Sequence, residues 1–338
     1  MEQNEAKRHH YIPQFILRNF TDENGQLTYW DINQNKLEKR NPRSVFMNWH
    51  MYRDEENHEE NPTQIESLLS VFEKEIAELI NEKLLSTNEI ILSRTELESL
   101  RIFLSLLSFR SDLRMNQYKD KRFDPATLAI LKQYEKDENF ENLWKMEIEE
   151  LSKCRTYKQI EESKIIDPII KTDFFNDLKG MYMTFVEARG GEFLISDVYP
   201  TLEIFPLQPN INIHMHCMYP LSATRLLLLN HIMFKQETAD PMLEAMKSFS
   251  QIKGDLIALP KNDYTNGMTY AQSDKFIYRV RKIYSSDVEY INALFLNEAR
   301  VGIAFENRDR VINSIEAYNM RNDRKKDYTL LANELNKQ

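Results

Sequence analysis

The 338 residues carry 53 Asp and Glu against 44 Lys and Arg, a net charge of −9. This excludes a protein that coats or packages duplex DNA, whose affinity would come from phosphate neutralisation. With 42% hydrophobic and 29% charged residues the chain can bury a core, and only 7 glycines favour a helix-rich fold over a doubly wound or barrel one. Cys154 and Cys217 lie far apart and offer neither a disulfide framework nor a paired-cysteine zinc site, which fits a reducing cytosol. The opening MEQNEAKRHH lacks the apolar stretch of a signal peptide, and the run LLLL at 226–229 is too short to span a bilayer. A cytoplasmic location without a membrane partner is expected.

Residues 8–20 read as a short strand or turn entering an amphipathic helix. GQLTYWDI (25–32) and NQNKLEKRN (33–41) alternate about a polar turn and predict a β-hairpin. SVFMNWHMY (44–52) is a further strand or a packing segment beneath it, and 53–61 an acidic loop. Thr63 and Glu66 have capping-box spacing at the head of a helix reaching about Leu85. Ser93 and Glu96 repeat that spacing for a helix from about 94 to 119. FDPATLAILKQYEK (123–136) opens a third helix, which NLWKMEIEELSK (142–153) extends or follows. Residues 169–189 predict a fourth, closed by Gly190 and Gly191. Strand-like segments come next: EFLISD (192–197), TLEIF (201–205), INIHMHCM (211–218) and TRLLLLN (224–230). Helices at 238–250 and 286–305 precede a charged tail from about 307.

Helices first, sheet second and helix last predict α+β, not alternating α/β. We read one domain over 1–305, made of an N-terminal motif and hairpin (8–60), a helical region (62–190), and a mixed or antiparallel sheet with a last helix (191–305). A charged helical tail (306–338) follows.

Five constellations carry chemistry. In KRHHYIPQFILRNF, His9 and His10 point to opposite faces of an extended segment. Gln14, Arg18 and Asn19 continue the polar thread, and a guanidinium inside an apolar run asks for an anionic partner. On the first two capped helices, Glu66 and Glu73 share one apolar stripe and Arg110 and Arg114 another, so an αα-hairpin brings the two sets together. The result is either a paired core network or the floor of a cleft. Asp197 ends an apolar strand in LISDVYP, either as a presented functional group or as a turn cap. His214 and His216 share one face of a strand, with Met215 and Cys217 on the other; this suits a metal only with a third ligand. Asn292 and Asn297, on the last long helix, tie loops together or line the pocket.

HHYIPQFILRNF (9–20) resembles the opening signature of a mainly prokaryotic, uncharacterised family, domain-of-unknown-function family 4238. The aromatic hairpin around Trp30, the helix ending near Arg110, Ser196-Asp197 before a proline turn, Pro-Leu-Ser at 220–222 and the Asn-rich helix at 292–297 are similar in order. Many relatives have Ser-Asp-Asn directly before the proline, whereas this chain has SDVYP. The resemblance covers about residues 8–305 and implies an accessory-gene protein of the kind found near prokaryotic antiviral defence systems, directed at nucleic acid or a nucleotide.

Two functional readings of the polar site follow, beside that of a purely structural network in an interaction protein. In the first the chain is a nuclease-like hydrolase of a phosphate-containing substrate. His9 or His10 is its general base or a metal ligand, Glu66 and Asp197 hold Mg²⁺ or Mn²⁺, and Arg18 and Arg110 stabilise phosphate charge. In the second it is a non-catalytic module that binds an anionic ligand or a partner protein, a second copy of the chain included.

Overall fold

The computed structural model describes residues 8–135, 139–179, 181–208, 211–231 and 274–337. The helices are α1 (Gln14–Arg18), α2 (Gln64–Leu79), α3 (Arg94–Phe109), α4 (Asp112–Lys119), α5 (Pro125–Tyr134), α6 (Phe140–Lys153), α7 (Tyr157–Glu162), α8 (Pro168–Lys179), α9 (Ser285–Glu298), α10 (Arg308–Asn319) and α11 (Thr329–Asn336). The strands are β1 (Arg8–His10), β2 (Leu27–Asp31), β3 (Lys36–Arg40), β4 (Met47–Trp49), β5 (Glu89–Ser93), β6 (Met181–Ala188), β7 (Ile195–Ser196), β8 (Thr201–Gln208), β9 (Ile211–Pro220), β10 (Arg225–His231), β11 (Lys275–Arg279), β12 (Arg281–Ile283) and β13 (Gly302–Phe305). The fold is α+β, as the order of the sequence elements predicts.

The central layer is a five-stranded sheet of order β12-β6-β10-β9-β8. Only β12 joins it in parallel, alongside β6. The sheet is a wall between two cores. On β10, Leu227 and Leu229 enter a core shared with α2, α3 and α6, while Leu226 and Leu228 enter a second core shared with α9, α10 and α11. On β6, Met181, Met183 and Phe185 face the first core and Val186 and Ala188 the second. Strands buried on both faces need no polar alternation.

That burial explains the largest departure from expectation. Residues 181–188 are a strand in mid-sheet, where the apolar run had predicted the second half of a helix; α8 ends at Lys179. A fully apolar segment has no period, so helix and strand cannot be separated by pattern. Gly190, at φ +86°, therefore closes a strand and not a helix.

The expected 94–119 helix divides at Arg110, where Ser111 accepts a bond from the Arg114 amide and starts α4. The Ser93–Glu96 capping box forms, whereas Thr63 makes no capping bond. The helix expected at 286–305 ends at Glu298, and Gly302–Phe305 becomes β13. β13 lies between β2 of the N-terminal hairpin and β7, giving the order β3-β2-β13-β7. The charged tail is more than solvated chain: Val311, Ile315, Tyr318, Tyr328 and Leu331 of α10, α11 and the segment between them are buried in the second core. The helix expected at 238–250 lies outside the described residues. Among the described residues no helix is long and apolar enough to cross a membrane.

Asn292 anchors α9. Its Oδ1 accepts from the Leu194 amide at 3.1 Å, and its Nδ2 donates to the Glu192 carbonyl at 2.8 Å and to Ser314 Oγ at 2.9 Å. It ties loops, one of the two roles expected of it. Removing a buried partner strands the groups it served, at about 1–3 kcal/mol each. Asn292→Leu therefore lowers unfolding free energy by about 2–4 kcal/mol in urea titration; a loss under about 0.5 kcal/mol refutes this role.

Candidate functional site

The opening motif builds a buried clasp. β1 pairs with β4, His9 opposite Asn48 and His10 opposite Met47. Both histidines are buried, at 0% and 7% exposure. The His9 ring stacks on Tyr52, 5.5 Å between centroids and 5° from parallel. Its Nδ1 accepts the Tyr52 amide hydrogen at 2.7 Å, so Nδ1 carries no proton there. Ile12, Ile16, Leu17 and Phe20 hold the segment in the first core.

Arg110, 1% exposed at the end of α3, closes the clasp. It donates to the His10 carbonyl at 2.7 Å, the Tyr11 carbonyl at 3.4 Å and Glu73 Oε1 at 2.6 Å. The Tyr52 hydroxyl donates to the Arg110 carbonyl at 3.0 Å. The expected pairing of the two helices thus holds for Arg110 with Glu73, as a buried network. Arg114 instead turns away to Asp173 and Gln117.

Electrostatics follow from burial. His10 is lowered to about 4, first by desolvation; the backbone of Pro42 and Arg43 opposes this without forming a hydrogen bond to Nε2, and the Arg110 charge reinforces it. Glu66 is raised to about 7 by desolvation and then by Glu73, against the pull of Arg110. A buried neutral His10 and a buried His9 bonded to backbone do not suit the general base expected of them, which must reach a substrate proton.

Gln14 Nε2 lies 3.3 Å from His10 Nδ1, and Arg18, exposed on α1, donates to Gln14 Oε1 at 3.4 Å. Arg18 therefore points outward, and the anionic partner expected inside the apolar run is not needed. Asn19 is a structural tie, with Nδ2 on the Leu221 carbonyl at 3.0 Å and its own carbonyl accepting from Ala223 at 3.3 Å. It joins the opening motif to the Pro-Leu-Ser turn.

The open site lies beside the clasp. A cleft of about 1540 Å³ runs between α3, α4 and α8 on one side and the sheet face carrying Leu202, Cys217 and Tyr219 on the other. Of the His-His-Tyr motif only Tyr11 lines it. Burial raises the Tyr11 phenol, and Asp197 and Asp112 add to the effect.

Asp197 lines the cleft, but its Oδ1 accepts from the amides of Arg300, Val301 and Gly302 at 2.8, 3.0 and 3.1 Å. It caps amides, as one of its two expected readings held, but those of a segment a hundred residues away. Glu66 is not among the lining residues, so the two expected metal ligands do not share this cleft. Among the described residues no three His, Cys, Asp or Glu side chains are placed to hold a metal ion. Asn297 lines the rim and accepts from the Tyr318 hydroxyl at 2.6 Å and the Lys325 amide at 3.0 Å.

The expected shared face of His214 and His216 is broken by a bulge. Glu203 pairs with His216 and Ile204 with His214, so Met215 is the extra residue. His214 lines the cleft with Cys217 and Tyr219. His216 is buried, its Nδ1 2.8 Å from Asn230 Oδ1 and its Nε2 3.7 Å from Glu203. Glu203 is itself raised to about 7 by burial, against a bond from the Tyr290 hydroxyl.

Sequence reasoning missed Asp173 and His231, which also line the cleft. His231 ends β10, and its only sequence signal is a lone polar ring after an apolar run. Asp173 shows none, because only packing brings α8 beside α3 and β6.

The model of the family described as "Protein of unknown function (DUF4238)" matches residues 8–309, and the chain belongs to that family. No curated protein and no solved structure matches it.

Two predictions test the clasp. Arg110→Ala leaves Glu73 and two carbonyls without their partner and lowers stability by about 3–5 kcal/mol in denaturant titration; a change below 1 kcal/mol refutes the clasp. Glu66, raised when folded, contributes stability that is full below its unfolded value near 4.5 and is lost as pH rises through about 7. Glu66→Gln therefore becomes more stable relative to the parent between pH 5 and 8, read as the difference between the two urea midpoints. A difference that does not vary with pH contradicts this.

Proposed function

We propose that the chain binds a small phosphate-bearing molecule of nucleotide size in the cleft, as a binding protein for an anionic ligand. The supporting observation is the mixed polarity of the cleft lining. Arg114 contacts Asp173, Asp173 acts electrostatically on His214 and His214 on His231, while Asp197, Glu298, Asp323 and Lys325 line the same cleft. Arg114 is suited to exchange its partner for phosphate. Its contact to Asp173 is 3.4 Å, between side chains 29% and 55% exposed, and such a pair is weak. The Phe109 ring, 5.7 Å from the guanidinium carbon, steadies it.

The same lining disfavours a nucleic-acid polymer. Seven lining residues are Asp or Glu and four are Lys or Arg, so a long polyanion meets net repulsion. A molecule with one phosphate at Arg114 and donor-rich atoms toward the lining carboxylates avoids it. A cytoplasmic location accords with this reading, supported by two buried cysteines that no disulfide joins, a state that a reducing compartment maintains.

The test is calorimetry of the full chain with nucleoside 5′-monophosphates and inorganic phosphate. We expect saturable binding of a nucleotide that Arg114→Ala weakens at least tenfold, the scale of one lost charged hydrogen bond. Absence of heat and of any melting shift across the series overturns the reading.

A further inference from the structure

The surroundings of Arg114 in the cleft hold a second, more specific arrangement. His214 and His231 stand on adjacent antiparallel strands, where Asn230 pairs with His216. The bulge at Met215 turns His214 to the Cys217 side. His231 follows Asn230 by one residue and so returns to the side of Leu229, which shares the first core with Cys217. Both rings thus line one cleft, and the charge of His214 acts on His231. Asp173 from α8 acts electrostatically on His214 and meets Arg114 from α4 at 3.4 Å.

We propose that His214 and His231 are an acid–base pair that cleaves a phosphodiester carrying a neighbouring hydroxyl, with Arg114 on the phosphate and Asp173 positioning His214. The proposal rests on the reading of the cleft as a phosphate site. The substrate hydroxyl oxygen attacks phosphorus while its proton passes to neutral His231. The bond from phosphorus to the leaving oxygen breaks as protonated His214 gives that oxygen its proton. The products are a cyclic phosphodiester and an alcohol. Proton exchange with water resets the two rings.

The roles follow from the surroundings. Desolvation lowers both imidazoles, but Asp173 pulls His214 back toward its charged form, whereas the His214 charge lowers His231 further. The first proton therefore settles on His214, which makes it the acid. A nucleophile within the substrate suits the site, since an intramolecular hydroxyl reacts with an effective concentration of about 10⁵ M or more.

The experiment uses the full chain, a ribodinucleotide and its 2′-deoxy analogue, in EDTA. We expect cleavage of the first only, yielding a cyclic phosphate. His214→Gln and His231→Gln should each slow it by about 100-fold or more, the scale of one lost acid or base. Binding of the deoxy analogue and the melting temperature should stay unchanged. Should His231→Gln unfold, exposed His214 decides alone. Binding of the deoxy analogue without cleavage of the ribodinucleotide overturns the proposal and leaves the binding reading standing. Cleavage that EDTA abolishes, or that survives both substitutions, also overturns it. No binding of either dinucleotide removes both readings together.

Discussion

The grip of Arg110 on the carbonyls of His10 and Tyr11 is the contact on which the rest of the structure depends. A guanidinium buried at a helix end is tolerable only when its donors are met. Here backbone of the N-terminal strand meets two of them and Glu73 a third. The bond therefore fixes three elements at once: β1, α2 and the end of α3. The break between α3 and α4 falls at Arg110, so the same residue determines where α4, with Arg114, projects over the cleft. Tyr52 completes the lock from a fourth direction, donating its amide hydrogen to His9 Nδ1 and its hydroxyl to the Arg110 carbonyl.

Polar side chains at this density resemble catalytic machinery, because burial shifts their protonation in the same directions a mechanism would use. The clasp shows the difference. Each of its strong bonds ends on backbone or on another member of the clasp. In the cleft the weak Arg114–Asp173 contact, the half-exposed Asp173 and exposed His214 face a volume large enough for a ligand. Accessibility, more than perturbed protonation, separates the two places.

The parts legible in the sequence are those with a period or a cap. The alternation around Trp30 gave the hairpin, Ser93 with Glu96 gave the start of α3, and the pairing of Glu73 with Arg110 followed from helical spacing. Strand β6 was illegible because both its faces are buried, and the fate of His214 because a bulge shifts alternation without any residue that announces it. The cleft itself depends on α8 packing beside α3 and β6, a packing event with no local signature. So the motif region was found, while the open site beside it was visible only as scattered residues, Arg114, Asp197, His214 and Asn297.

The place of β13 has a consequence for how the chain is made. In the sheet β3-β2-β13-β7, the inner partner of the N-terminal hairpin is residues 302–305. As the polypeptide leaves the ribosome, β2 waits through some 270 residues with one edge unpaired, though its hairpin forms early (residue numbers from the strand ranges). Loop closure over that span is entropically costly and slow. The sheet, and with it the second core built on Trp30, is thus finished late, once β13 has been synthesised. A nascent or truncated chain lacking β13 presents an open strand edge to its neighbours, so self-association of unfinished chains is the expected hazard of this topology.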